Sequence, residues 1–249
     1  MANLLELEFI LTQAANVAFL LIIQYANGIL VIKKNVRVNY TRKINHFLLF
    51  FIPIFLNRGY IYAESFELFT MGAFLAVFKF IFYIKPIRER VSFINVMFHS
   101  FDRPEDRPYT LLWIVTQTAA GYAVLIPMSL LFANNNIFHL ILIPILVYGI
   151  GDGLAEPVGV RFGRIRYNAY ALFTNRKYFR TIEGSAVVFL TSLVVVLFYA
   201  SYFSQVQFIA ALIAIPVGMT LAEAFSPHTW DSPIMFFVGY MILFGVKML

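Results

Sequence analysis

The chain has 249 residues, 61% of them hydrophobic and only 13% charged, with a mean hydropathy of +0.78. A water-soluble domain carries about a quarter charged residues, so a soluble globule is excluded, and the lack of cysteine excludes disulfide frameworks, zinc–thiolate and iron–sulfur sites and cysteine nucleophiles. The net charge of +6 and pI near 9.5 read, in such a chain, as basic loops beside acidic lipid head groups, with no call for nucleic acid.

The N-terminus, MANLLELEF, carries Glu6 and Glu8 and lacks the basic start of a signal peptide, so the apolar stretch after it is expected to stay as a spanning helix. Apolar runs predict eight segments, at 9–32, 44–56, 66–84, 111–133, 137–158, 185–204, 207–225 and 233–249. A crossing takes about 20 residues, so the second spans upright only if it extends through Tyr60. No low-complexity tract, soluble domain or internal repeat is evident. The expectation is one all-α polytopic membrane domain, 1–249, with about eight transmembrane helices.

Charge orients these segments. Lys33, Lys34, Arg37, Arg42 and Lys43 follow the first; Lys85, Arg88, Arg90, Arg103 and Arg107 follow the third; Arg161, Arg164, Arg166, Arg176, Lys177 and Arg180 follow the fifth. That places 16 of the 19 Lys and Arg on one side, leaving Arg58 and Lys247 opposite and Lys79 inside a span. By the positive-inside rule the three basic loops are cytoplasmic and both termini face away. The opposite connections, NRGYIYAE, ANNN and SQ, are short and plain. The chemistry is therefore expected on the cytoplasmic face. Apart from Lys79, Gln117, Gln13 and Gln24 the spans are nearly clean, which argues against a carrier with polar groups at the midplane of broken helices.

Two polar clusters stand out. In Gly149-Ile150-Gly151-Asp152-Gly153-Leu154-Ala155-Glu156-Pro157-Val158-Gly159, alternate glycines are expected to break the helix and let backbone amides approach an anion. Asp152 and Glu156 are four apart and share a face where the helix resumes. Two carboxylates there repel unless a cation lies between them, and Mg²⁺ sharing its coordination with substrate phosphates fits. The plainer alternative is a glycine-rich bend with solvated acids. The second cluster, Arg161 to Ser185, is rich in Arg and Lys that suit phosphate oxygens; its alternative is a basic loop lying on anionic lipid.

Two further groups face the same side: Arg42-Lys43-Ile44-Asn45-His46 at the head of the second segment, and Glu223 with Ser226 to Pro233 between the last two. The histidines show no metal-ligand spacing, and the chain has no GxxxxGK[ST] loop, HExxH or serine-hydrolase elbow.

At these residues the chain resembles the membrane-embedded, CTP-dependent lipid-alcohol kinases, a family that includes phytol kinase, dolichol kinase and the yeast-type diacylglycerol kinase and is distantly similar to phosphatidate cytidylyltransferase. Three patterns carry the resemblance. One is an Arg-Lys pair followed three residues later by His, here Arg42, Lys43 and His46. Another is GDGxA with a following G-x-x-x-G, here Gly151 to Ala155 and Gly159 to Gly163. The third is [KR]-[ST]-x-E-G-[ST], here Arg180 to Ser185. An Arg-Pro at 107–108 and the acids Glu223 and Asp231 fit more loosely. The likeness covers 40–249 in outline and 149–190 closely. Two departures are Asp231-Ser232, where related kinases often carry Asp-Asn, and the absence after Ser185 of the Lys-Arg…Lys-Asp segment of the cytidylyltransferases, which favours a kinase.

The resemblance implies transfer of the CTP γ-phosphoryl group to the hydroxyl of a long-chain lipid alcohol, phytol or another prenol. It assigns Asp152, Glu156 and Glu183 to Mg²⁺. It assigns Arg42, Lys43, Gly151, Gly153, Arg161, Gly163, Arg164, Lys177, Arg180, Thr181 and Ser185 to the nucleotide phosphates. Glu223, Asp231 and His46 are the candidates for accepting the alcohol proton. The implied partners are the nucleotide, the lipid alcohol and the bilayer. Two other readings stay open: CTP-dependent nucleotidyl transfer to phosphatidate giving CDP-lipid, and a non-enzymatic lipid transporter whose acids form a structural cation site.

Overall fold

The computed structural model describes residues 2–56 and 66–249; Arg58, Tyr60 and the whole of the first opposite-side connection lie outside the described residues. The chain divides into two compact units, 1–115 and 116–249.

In the first unit, α1 (Ala2–Lys34) and α2 (Val38–Leu56) are joined by a short turn in which Asn35 takes φ 52°, a left-handed conformation Asn tolerates better than most residues. Then come α3 (Phe66–Phe78), a 3₁₀ turn (Lys79–Tyr83), α4 (Lys85–Arg88) and α5 (Ser92–His99). Helix α1 packs on α5 and α2. Its contact with α5 is close at Gly28, where a Cβ would overlap the carbonyl of Val96. The apolar centre is aromatic: Phe80, Tyr83, Met97, Phe98 and Phe101 are buried together, with Leu21 and Tyr25 of α1 against them. Tyr83 and Phe98 each meet Phe101 edge-on, at 5.2 and 5.1 Å between ring centroids, the arrangement the ring quadrupoles favour. Beside it runs a polar seam: Asn27 donates to Asn45 (2.7 Å), Asn45 to the Ser100 hydroxyl (2.7 Å), and Thr41 to the Ser100 carbonyl (2.7 Å). All four residues are buried.

Helix α6 (Thr110–Asn134) runs into the second unit. There α7 (Leu142–Leu146), a π turn (Val147–Asp152) and α8 (Gly153–Phe162) form one continuous helical segment. An antiparallel hairpin follows, β1 (Arg166–Ala171) and β2 (Thr174–Thr181), then α9 (Ile182–Phe198), α10 (Gln205–Phe225) and α11 (Asp231–Lys247). Helix α9 packs between α8 and α10, and α10 also packs on α11. Ser204 and Gln207 close a capping box at the start of α10, satisfying amides the first turn leaves open.

Among the described residues four helices are long and apolar enough to cross a membrane: Ile10–Lys34, Thr110–Asn134, Phe138–Phe162 and Gln205–Phe225. Thr70–Tyr83 and Ile182–Phe198 are apolar but shorter. The protein is thus a mostly helical chain with the helices of a membrane protein. Two elements depart from the sequence expectation. Residues 92–99, read as part of a charged loop, form α5, whose Met97 and Phe98 complete the aromatic centre. Residues 166–181, also read as loop, form the one hairpin among the described residues.

Candidate functional site

The site is built in the second unit, and the Arg180-Thr181-Ile182-Glu183-Gly184-Ser185 element assembles it. Thr181 is the N-cap of α9: its Oγ1 accepts from the amide of Gly184 at 3.1 Å, satisfying one donor that the first helical turn leaves open. Glu183 reaches back to the chain leaving α8. Its Oε1 accepts from the amides of Arg164 (2.8 Å) and Ile165 (3.3 Å). These amides and its own, the strongest influence, hold its carboxyl below the usual carboxylate range. Gly184 is required by proximity, since a Cβ would stand 2.9 Å from the carbonyl oxygen of Ala155. Ser185 turns the other way and donates to Glu223 Oε2 at 2.8 Å.

Arg180, the last charged residue of β2, reaches two acids. Its Nη1 lies 3.5 Å from Glu223 Oε1 and its Nη2 lies 3.7 Å from Asp231 Oδ2. Nη1 also donates to the Ser226 hydroxyl at 3.1 Å. Asp231 Oδ1 is held by Gln117 Nε2 and by the amide of Ser232, each at 3.0 Å. Gln117 also bonds the Tyr148 hydroxyl on the π turn at 3.0 Å. The Tyr167 hydroxyl meets Ser185 Oγ at 2.7 Å. Burial first, and the Glu223 carboxylate next, raise that phenol above its ordinary pKa. Asp152, Glu223 and Asp231 are all buried.

The hairpin is held over this cluster by its inner face. Tyr178 stacks on His228 with ring centroids 3.8 Å apart, and the His228 amide donates to the Tyr170 carbonyl at 2.6 Å. The segment between α10 and α11 thus fixes β2, and with it Arg180.

The glycines serve differently from the expectation. The helix does not break at 149–159; it widens into a π turn, and the Gly153 amide donates to the Ile150 carbonyl. Gly151 and Gly159 face α9 and its cap: a Cβ would stand 3.2 Å from Val188 Cα and 2.7 Å from Thr181 Oγ1, respectively. At Gly163 a Cβ would overlap Gly159 and Thr181. Small residues here let α8 and α9 approach closely, as they do between membrane helices.

The remaining expected residues divide clearly. Arg161, Arg164 and Lys177 are exposed, and Glu156 is half-buried one turn beyond Asp152. Arg42, Lys43 and His46 belong to the first unit; Lys43 is buried there, and His46 is half-buried with Phe50 at 4.9 Å between centroids. Tyr167, Tyr148 and Ser226 join the cluster without having been given a role by the sequence reading; the period-two spacing of Tyr167, Ala169 and Ala171 is the sequence signal for the first. As for Mg²⁺, no group of three His, Asp or Glu among the described residues is disposed to hold a metal, so Asp152, Glu156 and Glu183 do not form a three-carboxylate site. Asp152 and Glu156 remain a pair of hard oxygen donors, the number Mg²⁺ takes from protein when phosphates complete its shell.

No family model, curated protein or solved structure in the comparisons matches this chain.

Proposed function

We propose that the protein is a membrane-embedded phosphotransferase that moves the γ-phosphoryl group of a nucleotide, CTP by resemblance, to the hydroxyl of a long-chain lipid alcohol. The observation that carries the reading is the partly buried Arg180 reaching the two buried acids Glu223 and Asp231, with Asp152 a third buried acid of the same unit. Ionisable groups inside an apolar chain are expensive to bury and mark functional sites by default. Two acids against one guanidinium also leave an excess of negative charge that suits a cation-accompanied polyphosphate.

In this reading Arg180 is the phosphate-binding cation. Its planar fork fits phosphate oxygens, and the arriving γ-phosphate takes it from Glu223. Glu223, still hydrogen-bonded by Ser185, is then the proton acceptor. The alcohol oxygen bonds to the γ-phosphorus, the bond from that phosphorus to the β-bridging oxygen breaks, CDP leaves, and the hydroxyl proton passes to Glu223. Asp231 is already held by Gln117 and its neighbouring amide, which makes it the weaker base and a positioning group for Arg180. Asp152 and Glu156 would hold a Mg²⁺ ion, which would supply charge neutralisation of the triphosphate. The apolar helices accommodate the lipid tail. The basic loops are cytoplasmic by the positive-inside rule, and the two shorter apolar helices together with α2 and α11 complete the eight crossings.

The experiment is transfer of label from γ-labelled CTP, and separately ATP, to a mixture of phytol, farnesol, dolichol and diacylglycerol by purified protein with Mg²⁺. Labelled lipid supports the reading and names the alcohol. A CDP-lipid formed from α-labelled CTP and phosphatidate, with no γ-label on lipid, replaces it with nucleotidyl transfer. No product from folded protein removes it.

A further inference from the structure

The hairpin has two faces, and only the inner one is used by the cluster. Tyr167, Ala169, Tyr178 and Arg180 point inward; Ala169 and Tyr178 are buried, at 5% and 7% exposure. The register pairs Asn168 with Phe179 and Ala169 with Tyr178, so the alternate residues form a separate outer face. That face combines two features rarely found together on a water-facing hairpin. Tyr170, Phe173 and Phe179 are exposed at 60%, 56% and 60%. Arg166 and Lys177 are exposed among them, and Arg176 is exposed beside Lys177 in the irregular stretch where 175–177 lie opposite Tyr170. Phe173 sits at the turn with φ 64°, a left-handed backbone uncommon for a bulky side chain, which holds its ring out at the tip. No acid occurs between Glu156 and Glu183, so nothing on the hairpin offsets its charge.

The surroundings select the occupant. The hairpin leaves the spanning-length helix that ends at Phe162 and returns to the apolar helix beginning at Ile182. Exposed Phe162, Ile165 and Ile182 flank it at both roots. Both roots therefore lie at the boundary where hydrocarbon gives way to head groups. Aromatic rings that prefer the head-group level, interleaved with cations, are the composition of a segment that lies on an anionic bilayer surface.

We propose that the outer face of the hairpin docks on anionic lipid head groups, with Phe173 and Phe179 entering the interface and Arg176 and Lys177 against phosphates. This rests on the membrane placement of the neighbouring helices and is independent of the chemistry proposed for the inner face. It takes Lys177 out of the nucleotide site and makes it a lipid contact.

The chain has no cysteine, so an Asn175→Cys variant carries one spin label beside the tip. The full chain would be placed in nanodiscs of phosphatidylcholine alone or of phosphatidylcholine with phosphatidylglycerol. Label accessibility to oxygen and to a water-soluble nickel chelate reports whether the tip is docked. The expected result is a shift toward oxygen and away from nickel when phosphatidylglycerol is present. Arg176→Ala and Lys177→Ala should each weaken docking about fivefold. A label equally open to nickel in both bilayers overturns the proposal without any substitution being needed. So does a lipid response that survives Arg176→Ala/Lys177→Ala together, or a label that answers to added CTP and not to phosphatidylglycerol.

Discussion

Arg180 Nη1 stands 3.5 Å from Glu223 Oε1, tying the end of a hairpin strand to the last turn of a helix long enough to cross a membrane. Both side chains are largely buried, at 12% and 6% exposure. Such a pair is strong evidence of a specified arrangement and weak evidence of net stabilisation, because desolvation of each ion offsets their attraction.

The pair should therefore be more sensitive to removal of one partner than to removal of both. Arg180→Met leaves Glu223 and Asp231 facing each other without a counter-charge, and a loss of about 3–5 kcal/mol is expected. Arg180→Met with Glu223→Gln should recover a good part of it. Thermal unfolding in detergent of the two variants checks this; equal losses would separate Arg180 from the two acids.

The polar seam of the first unit makes a parallel prediction. Asn45 bridges Asn27 and Ser100 in a buried chain with 2.7 Å links. Asn45→Ala strands the Asn27 amide and removes the donor to the Ser100 hydroxyl, which keeps its bond to the Met97 carbonyl, at a cost of about 1–3 kcal/mol in the same assay.

Two glycines in one unit should respond with opposite sign. Gly28→Ala meets the backbone of Val96, which cannot move cheaply, and should destabilise by about 1–3 kcal/mol. Gly72→Ala in α3 meets nothing within 4 Å and should stabilise by about 0.5–1 kcal/mol through helix propensity. Unfolding midpoints of the two variants against the parent protein decide it.

Glu183 predicts a pH dependence. Its carboxyl is held below the ordinary range by its own amide and those of Arg164 and Ile165. A depressed folded-state value means the contribution is complete above the unfolded carboxylate pKa of about 4.3 and fades as pH falls through the folded value. The stability difference between the parent and Glu183→Gln should thus be level near neutrality and shrink in acid. A difference that grows on acidification would contradict the hydrogen-bonding seen here.

Helix positions were legible in the sequence because lipid imposes a one-dimensional signal: each expected apolar segment falls on a helix. The unexpected elements lack that signal. α5 is only eight residues long and sits between charged turns, and its apolar face is explained only by Phe80, Tyr83 and Phe101 folding onto it. The hairpin alternates as RYNAYA and TNRKYFRT, but its basic residues read equally well as loop. In the site, the acids were legible as polar residues out of place, and Gln117 as an exception within a span. That Gln117 belongs to Asp231, 114 residues on, needed the fold. The expected helix break at the glycines did not occur for a physical reason: a residue without a side chain serves close helix packing as readily as phosphate approach, and spacing does not separate the two.

The most direct test of the central claim is γ-label transfer from CTP to lipid alcohol by the parent protein and by Asp152→Asn, both shown by thermal unfolding to be folded. The account predicts labelled lipid from the parent and a fall of about a hundredfold or more in the variant, since the Mg²⁺ that would neutralise the triphosphate would lose one of its two carboxylate ligands. Labelled lipid formed at equal rates by both would remove Asp152 from the site. Absence of labelled lipid from the folded parent would contradict the proposal as a whole.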